Sequence, residues 1–244
     1  MYRFVFFLAF LLILSPGCSS SGEKTPRKNF SVASIFPASR APFLKIPALN
    51  YRGDCRSQYM GIFKAPRTDN AFLRLRYACA RGGYYRNSKL FAKKLYGLLK
   101  SKQPAKALEI IRKELPKNIL DPRAHLIAYF AARDLNEMKQ AQYHKLMVMG
   151  VLRSIGFSGD GTTPRTAFHV VNVTEEYMFL SEMRMKYVKR RTRKIGLEFY
   201  DVFTVKNKST GKFHQVYFNA SEPLRNLRQS FKKIDASREK TSAE

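Results

Sequence analysis

The sequence predicts an α+β protein: antiparallel helical hairpins first, then a small α+β domain with a short antiparallel sheet. Three observations predict it. Apolar residues recur every three to four positions through residues 51–155, the spacing of one helix face. Beyond a Ser-Gly-Asp-Gly turn at Ser158 the spacing falls to two, as a pleated strand needs. Hydrophobic residues are 45% of the 244 and aromatics 13%, enough for a packed core.

The chain opens with one cation, Arg3, and an apolar run from Phe4 to Leu14. That pattern matches the n- and h-regions of a secretory signal. It is too short for a membrane span of roughly 20 residues. Ser15-Pro16-Gly17-Cys18 resembles a bacterial lipobox, with Ser15 where a leucine is usual. In a lipobox the cysteine is acylated and becomes the new N-terminus. The expectation is a signal peptide over 1–17 and lipidation at Cys18. An ordinary cleaved signal is the alternative. Ser19 carries no inner-membrane retention cue, so the expected location is the bacterial outer membrane, lipid-anchored, with periplasmic or secreted as alternatives.

Residues 18–50 read as a tether. Ser19, Ser20, Ser21 and Gly22 open it, and Pro26, Pro37, Pro42 and Pro47 recur. Proline at that density blocks helix and removes ladder donors. Such a chain reaches roughly 30 Å. Cys55 and Cys79 then remain. Outside the cytoplasm a lone pair can oxidise, closing a loop worth roughly 3 kcal/mol. Two buried thiols are the alternative, because Cys79 lies at helical spacing from Phe72 and Leu75.

The helical part, 51–155, carries successive stripes. Phe72, Leu75 and Cys79 form one; Leu90, Phe91, Leu95, Leu98 and Leu99 another; Ala107, Leu108, Ile110, Ile111 and Leu115 a third. Asp121 and Pro122 start the next helix, which Leu126, Ile127, Tyr129 and Phe130 continue. Ala141, Leu146, Met149 and Leu152 mark the last. Ala107 and Ala141 stand 34 positions apart, the length of a tetratricopeptide repeat. Lys145 falls where an apolar residue is expected, and the repeat's usual Trp and Gly are absent, so an ordinary bundle is the competing reading.

The second domain is expected over 156–235. Ser158-Gly159-Asp160-Gly161 is a turn, and Thr166 to Val173 reads as a central strand, apolar on both faces. Thr174-Glu175-Glu176 caps a helix to about Lys186. Leu197, Phe199, Phe203 and Val205 alternate in a strand, with Asp201 its polar exception. A turn over 207–211 leads to a partner strand at 213–218. Leu224, Leu227 and Phe231 suggest a closing helix, and 236–244 is a polar tail.

These residues carry a resemblance. Ser158, Gly159, Asp160 and Gly161, then Ala167, Phe168 and His169, then Glu176 and Tyr177 resemble the hallmark segment of a bacterial family of unknown function, the one numbered 4919. Tyr200-Asp201 and Tyr217-Phe218-Asn219 continue it. The resemblance implies an exported, lipoprotein-like protein with a repeat-like helical part. It implies no catalytic residues.

Chemistry is sparse. Forty-five Lys+Arg against 18 Asp+Glu leave a charge of +27, which disfavours acid-rich catalytic or calcium sites. The densest run is Lys186, Lys189, Arg190, Arg191, Arg193 and Lys194, an anion-binding candidate; a solvated loop is the bland alternative. Nucleic acid is not the expected partner, since export and the lack of a recognised motif argue against it. The Ser158–Gly161 turn lacks the ligand pattern of a calcium loop and the Gly-Lys-Ser/Thr of a phosphate loop. His125, His144, His169 and His214 make no zinc motif, and no cofactor is implied. His169, Asp201 and His214 could cluster, as could Glu198 with Asp201. The reading is a non-enzymatic envelope lipoprotein that engages a protein or an anionic polymer. A secreted hydrolase-type enzyme and a soluble exported basic protein are the alternatives.

Overall fold

Helix α1 (Cys55–Lys64) and helix α2 (Asp69–Arg81) open a computed structural model that describes residues 54–64, 68–84 and 89–228. The expected signal, Cys18, the tether, Phe231 and the polar tail lie outside the described residues. Thr68 caps α2, its hydroxyl accepting from the Ala71 amide at 3.1 Å. Cys55 and Cys79 form a disulfide between the two helices.

Two helical hairpins follow. Helix α3 (Lys89–Lys100) turns into α4 (Pro104–Glu114), and α5 (Pro122–Asp134) turns into α6 (Met138–Phe157). The two turns repeat each other. Lys102 (φ 53°) and Asn136 (φ 59°) close their helices in the left-handed conformation. The Gln103 amide donates to Leu98 O at 2.9 Å, and the Glu137 amide to Ala132 O at 2.8 Å. That is the long bond of a Schellman cap. One turn later Ala107 and Ala141 are 0% and 1% exposed, in a shared core cluster. Asp121 caps α5, accepting from Arg123 and Ala124, with Pro122 in the first turn.

The remainder is a helix laid on a four-stranded sheet. The elements are β1 (Phe168–His169), α7 (Val173–Glu182), β2 (Met185–Ile195), β3 (Glu198–Asn207) and β4 (Phe213–Asn219), in sheet order β1-β4-β3-β2. The chain is helical again over 221–228. The class is α+β, but three local expectations are corrected. Residues 166–173 form a two-residue edge strand, parallel to β4, so the sheet is mixed. Val170 and Val171 are buried, at 0% and 1% exposure, because the chain passes between sheet and helices there; their apolar run mimics a central strand. Helix α7 is capped by Asn172, whose Oδ1 accepts from Thr174 N at 2.7 Å, and it ends four residues before Lys186. Arg184, at φ 55°, turns the chain away. Lastly, the basic run is no loop. It is β2, the longest strand, paired along its length with β3.

One core spans both halves. Val148, Val151, Leu152 and Ile155 of α6 join Phe168, Phe179, Phe203 and Phe218. Phe168 meets Phe179 edge-on at 4.7 Å between centroids, and Phe203 meets Phe218 at 5.4 Å. Each such buried ring contributes about 1.5–3 kcal/mol.

Candidate functional site

The two faces of the sheet are set by one irregularity. Tyr187 pairs with Val205, but Lys189 pairs with Thr204, so Val188 is an extra residue in β2. Such a bulge re-aims the residues beyond it. Opposed residues share a face. Arg190 and Thr192 therefore sit on the core side, opposite Phe203 and Asp201. Lys189, Arg191 and Arg193 sit on the outer side, opposite Thr204, Val202 and Tyr200.

On the core side the bulge delivers Arg190 to two carboxylates. Arg190 pairs with Asp201, and its guanidinium lies 3.7 Å from Glu176 Oε2. Thr192 also donates to Asp201. The Arg190 guanidinium caps the Phe203 ring at 5.7 Å. Glu176 is fully buried, and neither of its oxygens receives a hydrogen bond among the described residues. Burial, reinforced by the neighbouring Asp201 charge, pushes its carboxyl well above the usual range. Glu176 and Asp201, both resemblance residues, thus form one buried acid pair clamped by Arg190.

The outer side is different. Lys189, Arg191 and Arg193 are exposed and make no salt bridge among the described residues. At alternate positions on a strand they stand about 7 Å apart. Beside them run Tyr200, Val202 and Thr204 of β3, then Asn219, Tyr217 and Gln215 of β4. Tyr200 and Tyr217 are half-buried, and Tyr217 donates to Gln215 Oε1 at 3.1 Å. The acid on this face, Glu198, accepts from Ser221 at the sheet's end. β2 is an edge strand, and its cations and bulge are the usual guards of an edge. Of the six cations in the run, Arg190 is half-buried on the core side. Lys186 shares the outer side with the row of three, and Lys194 lies exposed at the strand's far end on the core side.

The Ser158–Gly161 turn spends its donors internally. The Asp160 and Gly161 amides both donate to Thr166 O, at 3.0 and 2.8 Å. Asp160 Oδ1 accepts from Thr162 N, Thr162 Oγ1 and Thr166 Oγ1 at 2.6–2.8 Å. Gly161 has φ +69°, and a Cβ there would lie 2.3 Å from the Phe168 ring. A Cβ on Gly159 would lie 2.4 Å from Thr166 O. Ser158 Oγ accepts from His169 N at 2.8 Å, and Tyr217 N donates to Gly161 O at 2.9 Å. The turn therefore fastens β1 to β4. Ala167 and Phe168 are core residues beside it, and Phe218 is the core residue of β4.

Other expected groupings do not assemble. His169 is in register with Asn219, whereas His214 lies five residues back along β4, roughly 17 Å away. Burial first, then the Arg76 charge, lowers His169 to about 4. It bonds the Tyr77 hydroxyl at 3.1 Å. Glu198 and Asp201 face opposite sides of the sheet. Among the described residues no cluster could hold a metal ion.

Two arrangements escaped the sequence reading. Arg76, fully buried, donates to Glu175 at 3.0 Å from Nε, to Ser154 Oγ at 3.1 Å and to His169 O at 3.0 Å. Glu175 in turn accepts from Val171 N at 2.9 Å. This pair ties α2 to α6, β1 and α7. His125 and His144 meet Nδ1 to Nδ1 at 2.9 Å. His125 Nε2 lies 2.9 Å from Ile119 O, which can only accept, so His144 must donate to His125. Burial holds them at about 4 and about 3, so both are neutral. A groove of about 210 Å³ also opens over Tyr96, Tyr129, Met149, Tyr177 and Met178, with Arg123 and Lys145 among its lining.

Comparison with known proteins adds one finding. The protein-family model described as "Domain of unknown function (DUF4919)" matches residues 85–229, so the chain belongs to that family. No curated protein and no solved structure matches the chain.

Proposed function

We propose that this member of the DUF4919 family is a non-enzymatic envelope module that binds an anionic polymer through the outer face of its sheet. The observation that carries the reading is the row Lys189, Arg191 and Arg193, exposed and without acidic partners among the described residues. A chain of charge +27 reinforces the local potential. Near an anionic surface each such cation contributes about 1 kcal/mol. The scattering of His169, His214 and Asp201 supports the non-enzymatic reading. The signal-like N-terminus supports export and an outer-membrane lipid anchor at Cys18. The twin turns at Lys102 and Asn136 support reading the two helical hairpins as tetratricopeptide-like units. A second reading, docking of a protein segment, is favoured by the Tyr- and Met-lined groove.

The test uses inorganic polyphosphate as the probe and the full chain as the binder. Replacing Lys189, Arg191 and Arg193 together by Gln lowers affinity by at least tenfold on this reading, about 1.4 kcal/mol. Unchanged affinity in a folded variant contradicts it.

A further inference from the structure

We infer that the polymer recognised by the outer sheet face is an anionic polysaccharide, with sugar rings resting on Tyr200 and Tyr217 and its acid groups on Lys189, Arg191 and Arg193. This rests on the polyanion reading above and narrows it.

The face is a grid, and its columns differ in chemistry. The first column is cationic: Lys189, Arg191, Arg193. Arg193 lies opposite Tyr200, which lies opposite Asn219. Arg191 lies opposite Val202, which lies opposite Tyr217. Lys189 lies opposite Thr204, which lies opposite Gln215. The tyrosines are thus diagonal neighbours across β3 and β4, about 7–8 Å apart. Both are half-buried, so part of each side chain is open to solvent on this face. Tyr217 is further held by its bond to Gln215 Oε1, which leaves the Gln215 amide nitrogen as an outward donor.

A ligand that answered only to charge would need only the first column. This face adds a ring directly opposite Arg193, and a ring and an amide one strand beyond the partners of Arg191 and Lys189. A sugar polymer offers what those columns take: apolar ring faces, hydroxyls and, where it is acidic, regularly spaced charge. Single-stranded nucleic acid also stacks on aromatics beside cations, so it is the rival the test must separate.

Four probes make the separation with the full chain: polyphosphate, neutral dextran, carboxymethyl-dextran and oligo-dT, the charged three matched for charge. The expected result is that carboxymethyl-dextran binds about tenfold more tightly than polyphosphate or oligo-dT, of the order one or two ring contacts supply. Tyr200→Ala with Tyr217→Ala abolishes that preference and leaves polyphosphate binding unchanged. Tyr200→Phe with Tyr217→Phe keeps both rings and keeps the preference. Equal binding of polyphosphate and carboxymethyl-dextran overturns this inference while the polyanion reading stands. Tightest binding of oligo-dT overturns it in favour of nucleic acid. Loss in the Phe pair as complete as in the Ala pair also overturns it, since rings would not be the cause. Binding of none of the charged probes overturns both readings.

Discussion

Glu176 is the residue whose environment is most at odds with its chemistry. It is a carboxylic acid with no exposed surface, beside Asp201 and 3.7 Å from Arg190. Its folded value is raised above that of the unfolded chain. The native state therefore keeps a proton that the unfolded state loses as pH climbs above roughly 4.3. Stability contributed here is full below that value and falls as pH rises toward the folded value. Glu176→Gln should remove the fall. Urea midpoints at about pH 5 and about pH 8 check this: the variant should be flatter between them and no less stable at the higher. A loss of stability at both pH values would mean that Glu176 is an ionised partner of Arg190. The buried histidines run the other way. Burial lowers His125, His144 and His169, so their neutral forms should persist to about 4, about 3 and about 4. Their imidazole resonances should not titrate in a nuclear magnetic resonance series above about pH 5.5. Arg76 makes the sharpest substitution. Arg76→Met strands Glu175 and should cost about 3–5 kcal/mol by denaturant unfolding.

At the scale of elements, the repeated turns and the Ser-Gly-Asp-Gly turn make separable predictions. Lys102 holds a left-handed conformation that glycine adopts without a Cβ penalty. Lys102→Gly should raise stability by about 0.5–1 kcal/mol, read from the denaturant midpoint. Gly159→Ala should lower it by about 1–3 kcal/mol, because the obstructing atoms are the backbone of Thr166 and Ala167. The helices were legible because stripes such as Phe72, Leu75 and Cys79 bury one face, and periodicity reports that directly. The hairpin of β3 and β4 was legible for the same reason at spacing two. β2 was not. Its alternation is hidden, since both of its faces carry cations and the bulge at Val188 breaks the period midway. The buried acid pair was invisible too, because Glu176 meets Asp201 only once α7 lies across β3. Asp201 itself could be flagged, as the polar exception among Phe199, Phe203 and Val205, and its partner is the cation such a position calls for. The pairing of Arg76 with Glu175 spans most of the fold, and local spacing carries no trace of it.

At the scale of the molecule, a shared core joins helices to sheet and one sheet face is left charged. α6 gives residues to the sheet's core, and Arg76 ties α2 to the same region, so the helices back one face of the sheet. Among the described residues no helix is long and apolar enough to cross a membrane. Membrane attachment in the proposed reading rests on the lipobox-like Cys18. Protein extracted from membranes should have an intact mass that begins at Cys18 with acyl chains added; a lipid-free start elsewhere would remove the anchor from the account. In the proposed function, anion binding belongs to the outer sheet face and not to the charge of the chain at large. The most direct measurement is polyphosphate affinity as a function of salt for three proteins: the parent chain, Lys189→Gln/Arg191→Gln/Arg193→Gln, and an equal-charge control, Lys93→Gln/Lys94→Gln/Lys100→Gln, at exposed positions on α3. Each lost contact flattens the slope of log affinity on log salt by roughly 0.7. Binding at the sheet face should give a slope about 2 units shallower for the sheet variant and an unchanged slope for the α3 control. Equal flattening in both variants would contradict it, since binding would then follow net charge with no site at all.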